Sequence, residues 1–230
     1  RGLGSPGPHT ITLEVTDQAG ASDSASVTLT TVDGQAPLVD LLGDLSVHKL
    51  DLVLADTALG GIFTSRINLN LREDKGWAYG AYTFMQDARG QRPWLAYAPV
   101  QTDRTADSIK ELTREFDEFL GTEPATQDEL NKSVRNNVNS LPGQFETAGA
   151  VLGALLSNDR FGRPDDYVTT LKSQYESVDL EGVQGAAEEV IHPGNLTWLI
   201  VGDREQIEEQ VRELGLGDMQ ILDTDGNPVE

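Results

Sequence analysis

The spacing of apolar and polar side chains changes near residue 37. Before that point, residues 9–16 and 25–32 alternate polar and apolar side chains with a period of two, which is typical of strands with one buried face. After it, apolar residues recur mostly at the three- and four-residue spacing of helices. The pattern therefore predicts two domains, a short β module over residues 1–36 and a larger mixed domain over residues 37–230.

The larger domain is predicted to alternate helices with a few strands. Helical spacing, with breaks at glycine and proline, predicts helices over residues 44–60, 63–71, 102–120, 126–141, 144–157, 164–177, 180–191 and 204–214. Strands are predicted over residues 77–85 and 93–100, joined as a hairpin, and over residues 196–201 and 219–222. The run at 196–201 is apolar throughout, which predicts a buried central strand. This order of elements predicts an α+β fold with one mainly antiparallel sheet packed by helices.

Composition excludes several classes of partner and of chemistry. The chain has 230 residues, a formal net charge of −21 and no cysteine. So many acidic groups repel nucleic acid and anionic membrane surfaces, and neither is predicted as a partner. The lack of cysteine excludes disulfides, thiolate zinc sites and cysteine nucleophiles.

No catalytic motif is present in the sequence. The three histidines, His9, His48 and His192, lie far apart, and neither H-E-x-x-H nor H-x-x-E-H occurs. The serine motif G-x-S-x-G and a phosphate-binding glycine loop are also absent. The residues therefore predict no metal site and no catalytic residue in this chain.

One segment carries a family resemblance. Residues 59–80, LGGIFTSRINLNLREDKGWAYG, resemble the helix–helix–strand signature of the C-terminal domain of the pitrilysin/insulinase zinc metallopeptidases. Three further segments agree with that family in order and spacing, at residues 102–147, 164–178 and 192–229. The resemblance covers about residues 42–230.

The resemblance implies the LuxS/MPP-like metallopeptidase fold and a division of labour between two homologous halves. In such enzymes an N-terminal domain carries H-x-x-E-H and binds zinc. The C-terminal domain lacks zinc and contributes an arginine and a tyrosine that hydrogen-bond the main chain of the substrate, and the matching positions here are Arg72 and Tyr79. The chain is thus expected to be a zinc-free half that closes over extended peptides. It is expected to be inactive alone and to need a zinc-bearing homologous domain or subunit as its partner.

A non-catalytic peptide-binding or scaffold protein that keeps this fold is the alternative. Taken without the resemblance, Arg72 would satisfy carbonyl groups at a helix end, and Tyr79 would pack against the core. Retention of both residues favours the peptidase half over the scaffold.

The N-terminal β module resembles the last two strands of an immunoglobulin-like repeat of the PKD or cadherin kind. In such repeats Asp17 and Asp23 would contribute to a calcium site, although surface acids of a turn are the simpler interpretation. A fragment of a cell-surface adhesion protein is therefore a third hypothesis. The module also favours an extracytoplasmic location, periplasmic or secreted. Residues 36–50 match poorly to the strand with which the family domain opens.

Overall fold

The computed structural model describes residues 15–16, 22–23, 48–85, 94–223 and 225–229. The strands are β1 Val15–Thr16, β2 Ser22–Asp23, β3 Tyr82–Met85 and β4 Trp94–Tyr97. The α-helices are α1 His48–Asp56, α2 Arg66–Asn68, α3 Thr105–Leu120, α4 Gln127–Ser140, α5 Ala148–Phe161, α6 Tyr167–Ser177, α7 Leu180–Val190 and α8 Arg204–Glu213. Two π-helical segments, Thr57–Gly61 and Leu69–Asp74, extend α1 and α2, and short 3₁₀ turns lie at Thr102–Arg104, Pro142–Phe145 and Pro193–Asn195.

The main core lies where α1 packs against α7, with α3 and α4 beside them. Helix α3 shows why the sequence folds this way, because its buried apolar residues share one face at three- and four-residue spacing. The larger ones are Leu112, Phe116 and Phe119 in the main core, and Ile109 in a second cluster with Ile200, Ile207 and Val211. Burying each such side chain contributes about 1.5–3 kcal/mol. The helix ends at Leu120, where the sequence predicts its end.

Helix α4 begins at a capping box that also anchors a distant segment. The Thr126 hydroxyl accepts a hydrogen bond from the backbone nitrogen of Glu129, and the Glu129 carboxylate in turn accepts one from the backbone nitrogen of Thr126. The same Glu129 carboxylate accepts two hydrogen bonds from the guanidinium of Arg66, at 2.6 and 2.7 Å. The Arg66 guanidinium also stacks on the Phe119 ring at 5.0 Å. These contacts hold α2 against the α3–α4 corner.

The β3–β4 hairpin packs one face on the helices. Its register pairs Tyr82 with Tyr97 and Phe84 with Leu95. On the inner face, Thr83 is buried, and Trp94 meets the Phe116 ring edge-on at a centroid distance of 5.3 Å. The predicted hairpin is confirmed, but its paired strands are shorter than the predicted residues 77–85 and 93–100.

The sheet is smaller than the sequence predicts. Within the described part of the chain, the ladders are the two-stranded pairs β1–β2 and β3–β4, so the fold is mainly helical with a small antiparallel sheet. Residues 196–201 form no strand here. Ile200 is buried, whereas Leu199 and Val201 are at least half exposed. The run therefore has one covered face, and its continuous apolar composition does not indicate burial on both. Residues 219–222 also form no strand, apart from a single bridge between Leu222 and Pro228.

Only part of the N-terminal module lies within the described residues. Val15 pairs with Asp23 and Thr16 with Ser22, in an antiparallel arrangement around the predicted turn. The remaining positions of the predicted strands at 9–16 and 25–32 lie outside the described residues, as does the side chain of Asp23 and the whole of Asp17. Across the described helices, none combines the length and the apolar character required to span a bilayer.

The close approach of Gly60 to β3 yields a stability prediction. A Cβ atom at Gly60 would lie 2.5 Å from Oγ1 and 2.6 Å from the backbone nitrogen of Thr83. Because the backbone of a buried strand residue cannot move aside cheaply, we expect Gly60→Ala to lower the free energy of unfolding by about 1–3 kcal/mol in urea titrations. Gly153→Ala in α5 is the control, because nothing lies within 4 Å of its added methyl group. It should raise stability by about 0.5–1 kcal/mol, and equal effects of the two substitutions would refute the packing argument.

Candidate functional site

Arg72 lies in the last turn of the π-helical segment Leu69–Asp74. Its guanidinium lies over the ring of Phe63 at 4.0 Å from the ring centroid and is also paired with the carboxylate of Glu73. Its side chain is about one quarter exposed, at 27%. Stacking therefore fixes the plane of the guanidinium while part of its hydrogen-bonding edge stays accessible to solvent.

Tyr79 lies between the bridge that joins Ala78 to Val100 and the start of β3. Its side chain is 89% exposed, which is not the packed tyrosine that a purely structural role would require. The phenol is thus available as a hydrogen-bond donor and acceptor.

A tight backbone turn brings the segments of Arg72 and Tyr79 together. The carbonyl of Leu71, next to Arg72, accepts hydrogen bonds from the backbone nitrogens of Trp77 at 2.9 Å and Ala78 at 3.2 Å. The turn requires Gly76, whose φ of 64° lies in the left-handed region. The hydrogen bond from Ala78 to Leu71 therefore joins the two chain neighbours of the predicted site residues, since Leu71 precedes Arg72 and Ala78 precedes Tyr79.

The buried side chain of Asn68 connects the two chain segments on either side of the site. This side chain is fully buried at 0% exposure. Its amide nitrogen donates to the carbonyl of Phe63, and its amide oxygen accepts from the backbone nitrogen of Ala81 at 2.9 Å. Asn68 thus connects the segment that carries the stacking ring with the segment that follows Tyr79. Neither Phe63 nor Asn68 is predicted from the sequence, because no local motif marks a ring that stacks on a distant arginine or an amide that bridges two segments.

A charged network fastens Leu69–Asp74 to α3. The amide of Asn70 donates to Glu111 at 2.9 Å and to Glu115 at 2.7 Å, and Lys75 pairs with Glu111 at 3.3 Å. Burial alone would raise the pKa of Glu111, but hydrogen bonds from Asn70, Arg114 and Lys75 outweigh it and hold the pKa at about 2. Glu111 therefore stays ionised near neutral pH and serves as an anchor for the site segment.

The residues around Arg72 do not form a metal site. Throughout the portion of the chain that the structure describes, no three His, Cys, Asp or Glu side chains lie in a metal-binding group. His192 stands in a loop before Pro193–Asn195, while the side chains of His9 and His48 lie outside the described residues. The donor set seen here does not fit zinc, which needs three or four converging ligands.

A model described as the peptidase M16 inactive domain matches residues 32–137, a range that includes Arg72 and Tyr79. The uncharacterized zinc protease YmxG of Bacillus subtilis is 24% identical over 143 residues, covering 61% of this chain and 34% of that protein. The non-peptidase homolog YmxG of Helicobacter pylori is 25% identical over 170 residues, covering 73% of this chain and 38% of that protein. The chain therefore spans little more than a third of the length of these curated relatives.

Solved structures share the fold. The crystal structure of a peptidase M16 inactive domain from Pseudomonas fluorescens matches with a TM-score of 0.58 and 20% sequence identity. The match covers 74% of this chain and 38% of that one. The helical arrangement and the small antiparallel sheet therefore follow the fold of an M16 inactive domain.

The buried amide of Asn68 is expected to contribute more to the free energy of unfolding than an exposed amide does. In Asn68→Ala the Ala81 nitrogen and the Phe63 carbonyl lose their partner, which should lower the free energy of unfolding by about 2–3 kcal/mol. The amide hydrogen of Ala81 should also exchange faster with solvent, as read by native-state hydrogen exchange. Asn131→Ala, at an exposed position of α4, should change stability by less than about 0.5 kcal/mol. Unchanged protection of Ala81 in Asn68→Ala would contradict the bridging role.

The anchor at Glu111 predicts a pH dependence of stability. Its pKa is lowered on folding from 4.5 to about 2, so its contribution is complete above about pH 4.5 and is lost as the pH falls towards 2. We expect Glu111→Gln to be less stable than wild type at pH 7 and to lose less stability between pH 4.5 and 2. Thermal unfolding followed across that range tests this, and parallel curves for the two proteins would show that Glu111 is not the group responsible.

Proposed function

Because a model of the peptidase M16 inactive domain matches residues 32–137, we propose that the chain is the zinc-free, substrate-binding half of a two-part zinc metallopeptidase. The catalytic partner would be a zinc-bearing homologous domain or subunit, and the substrate an extended peptide held between the two halves. On this proposal the chain alone does not hydrolyse peptides.

The observation that supports the proposal is a pair of accessible hydrogen-bond donors, Arg72 and Tyr79, on two segments that backbone hydrogen bonds hold together. The Arg72 guanidinium is oriented by the Phe63 ring, and the Tyr79 phenol extends into solvent. Both can donate hydrogen bonds to a peptide carbonyl, and a guanidinium cannot lose its charge in the usual pH range. Donors fixed before the substrate arrives stabilise developing negative charge better than mobile ones.

The residues of this chain would act by binding and orienting the peptide. Arg72 would donate to a substrate carbonyl near the cleaved bond, exchanging part of its contact with Glu73 for the peptide. Tyr79 would donate to a neighbouring carbonyl or to the oxyanion that forms there. When bound in the partner domain, zinc would supply Lewis-acid chemistry and an activated water.

The proposal extends to the finer organisation of the chain. Residues 37–230 would form the inactive domain with a LuxS/MPP-like fold, and residues 1–36 would be the end of an immunoglobulin-like module. The antiparallel pairing of Val15–Thr16 with Ser22–Asp23 supports a hairpin in that module. A module of this kind supports an extracytoplasmic location.

A non-catalytic peptide-binding or scaffold protein is the second candidate. Its support is the name of the Helicobacter pylori relative, a non-peptidase homolog. It shares the same peptide-binding surface with the first candidate and differs in having no cleavage with any partner.

Cleavage of a quenched fluorogenic peptide library in zinc-containing buffer tests the first candidate. The chain would be assayed alone and with a zinc-bearing homologue from the same source. We expect activity only in the mixture, with Arg72→Ala lowering kcat/KM roughly 100-fold and Tyr79→Phe roughly 10-fold, as for lost oxyanion donors. Arg135→Ala, at an exposed position of α4, is the matched control and should leave activity unchanged.

Three other results would be informative. Chelator-sensitive cleavage by the pure chain would overturn the zinc-free assignment. Full activity of the mixture with both Arg72→Ala and Tyr79→Phe would remove these residues from the site. Peptide binding that depends on both residues, without cleavage in any mixture, would establish the scaffold instead.

A further inference from the structure

The outer face of the β3–β4 hairpin is apolar and partly exposed. It carries two directly opposed pairs, Tyr82 with Tyr97 and Phe84 with Leu95, which we call the aromatic face. Their exposed fractions run from 36% to 60%, whereas Thr83 on the inner face is only 2% exposed. Alternate residues of a strand point to opposite sides, so these four side chains form one continuous surface free of charged groups.

The aromatic face adjoins the candidate site. A Cβ atom at Gly80 would lie 2.6 Å from the hydroxyl oxygen of Tyr82, so the Tyr82 ring folds back over the residue that follows Tyr79. The absence of a side chain at Gly80 is what allows this approach. The aromatic face therefore reaches the backbone next to Tyr79, whose own side chain is exposed.

The size of the surface suits a peptide better than a second copy of the chain. Four partly exposed side chains offer on the order of 300–400 Å². A stable dimer buries about 800 Å² on each partner, roughly twice as much. An extended peptide places every second side chain on one side at a spacing of about 6.8 Å, which is also the spacing of Tyr82 and Phe84 along β3.

We propose that the aromatic face is an apolar subsite that selects extended peptides with bulky apolar or aromatic side chains next to the bonds held at Arg72 and Tyr79. The proposal rests on the proposed function and names its substrate class. The net charge of −21 adds a second preference, because an acidic protein attracts cationic peptides. Apolar side chains would thus confer selectivity at the aromatic face, and positive charge on the peptide would speed its approach.

A larger apolar surface elsewhere provides a control. Helix α5 exposes Val151, Leu152, Leu155 and Leu156, each more than 40% accessible. No described contact connects these residues to Arg72 or Tyr79. Non-specific attachment of an apolar peptide would use this surface at least as well as the aromatic face.

Binding of two fluorescent peptides to the full chain tests the proposal by anisotropy. Both peptides are decamers of net positive charge; one has phenylalanine or leucine at alternate positions, and the other has serine there. The variant Phe84→Thr/Tyr97→Thr keeps strand-forming residues, and Leu152→Gln/Leu156→Gln in α5 is the matched control. Urea unfolding and light scattering check the fold and the oligomeric state of each variant.

We expect the apolar peptide to bind at least tenfold more tightly than the serine peptide. The hairpin variant should lose that difference, and the α5 variant should keep it. Arg72→Ala should weaken both peptides together, because it removes main-chain contacts.

The opposite results separate the two proposals. A hairpin variant that retains the tenfold preference would overturn the subsite while leaving the Arg72 and Tyr79 site intact. Equal losses in the hairpin and α5 variants would show non-specific attachment and overturn it as well. A preference that depends on the hairpin but not on Arg72 or Tyr79 would instead remove the proposed function. A wild-type dimer that dissociates in the hairpin variant would identify a second copy as the occupant and overturn the peptide subsite.

Discussion

The arrangement of the candidate site depends on one buried amide. A buried polar side chain must find partners for both its donor and its acceptor, since an unpaired group costs about 1–3 kcal/mol. Asn68 meets this requirement by bonding the Phe63 carbonyl with its nitrogen and the Ala81 nitrogen with its oxygen. The ring under Arg72 and the strand entry after Tyr79 are thereby fixed to the same point in the interior.

Charged groups then hold that unit against the helices. Arg66 and Glu129 form a two-bond pair at the start of α4, and Asn70 with Lys75 binds the acidic side of α3 through Glu111. The chain has a net charge of −21, so its carboxylates repel one another. Arginine and lysine side chains placed between carboxylates reduce that repulsion locally. The site segment is therefore supported on one side by the amide and on the other by ion pairs.

The two exposed apolar surfaces, on the β3–β4 hairpin and on α5, differ in their position relative to this site. The hairpin packs on the core through Thr83 and Trp94 and leaves its opposite face partly exposed, next to the backbone that follows Tyr79. Helix α5 is apolar and exposed too, but no described contact ties it to Arg72 or Tyr79. Position relative to the site, and not apolarity, singles out the hairpin.

The sequence by itself determined what short-range forces control. Spacing, caps and turns act within a few residues, so the sequence predicted several local features correctly. They are the helical period of α3, its end at Leu120, the capping box at Thr126 and the β3–β4 hairpin. The family signature located Arg72 and Tyr79 but not what surrounds them. Only the tertiary structure decided that residues 196–201 have one covered face, that α1 and α2 continue as π-helical segments, and that Asn68 and Phe63 shape the site. Burial and partners of this kind arise between distant segments, and no local pattern of residues encodes them.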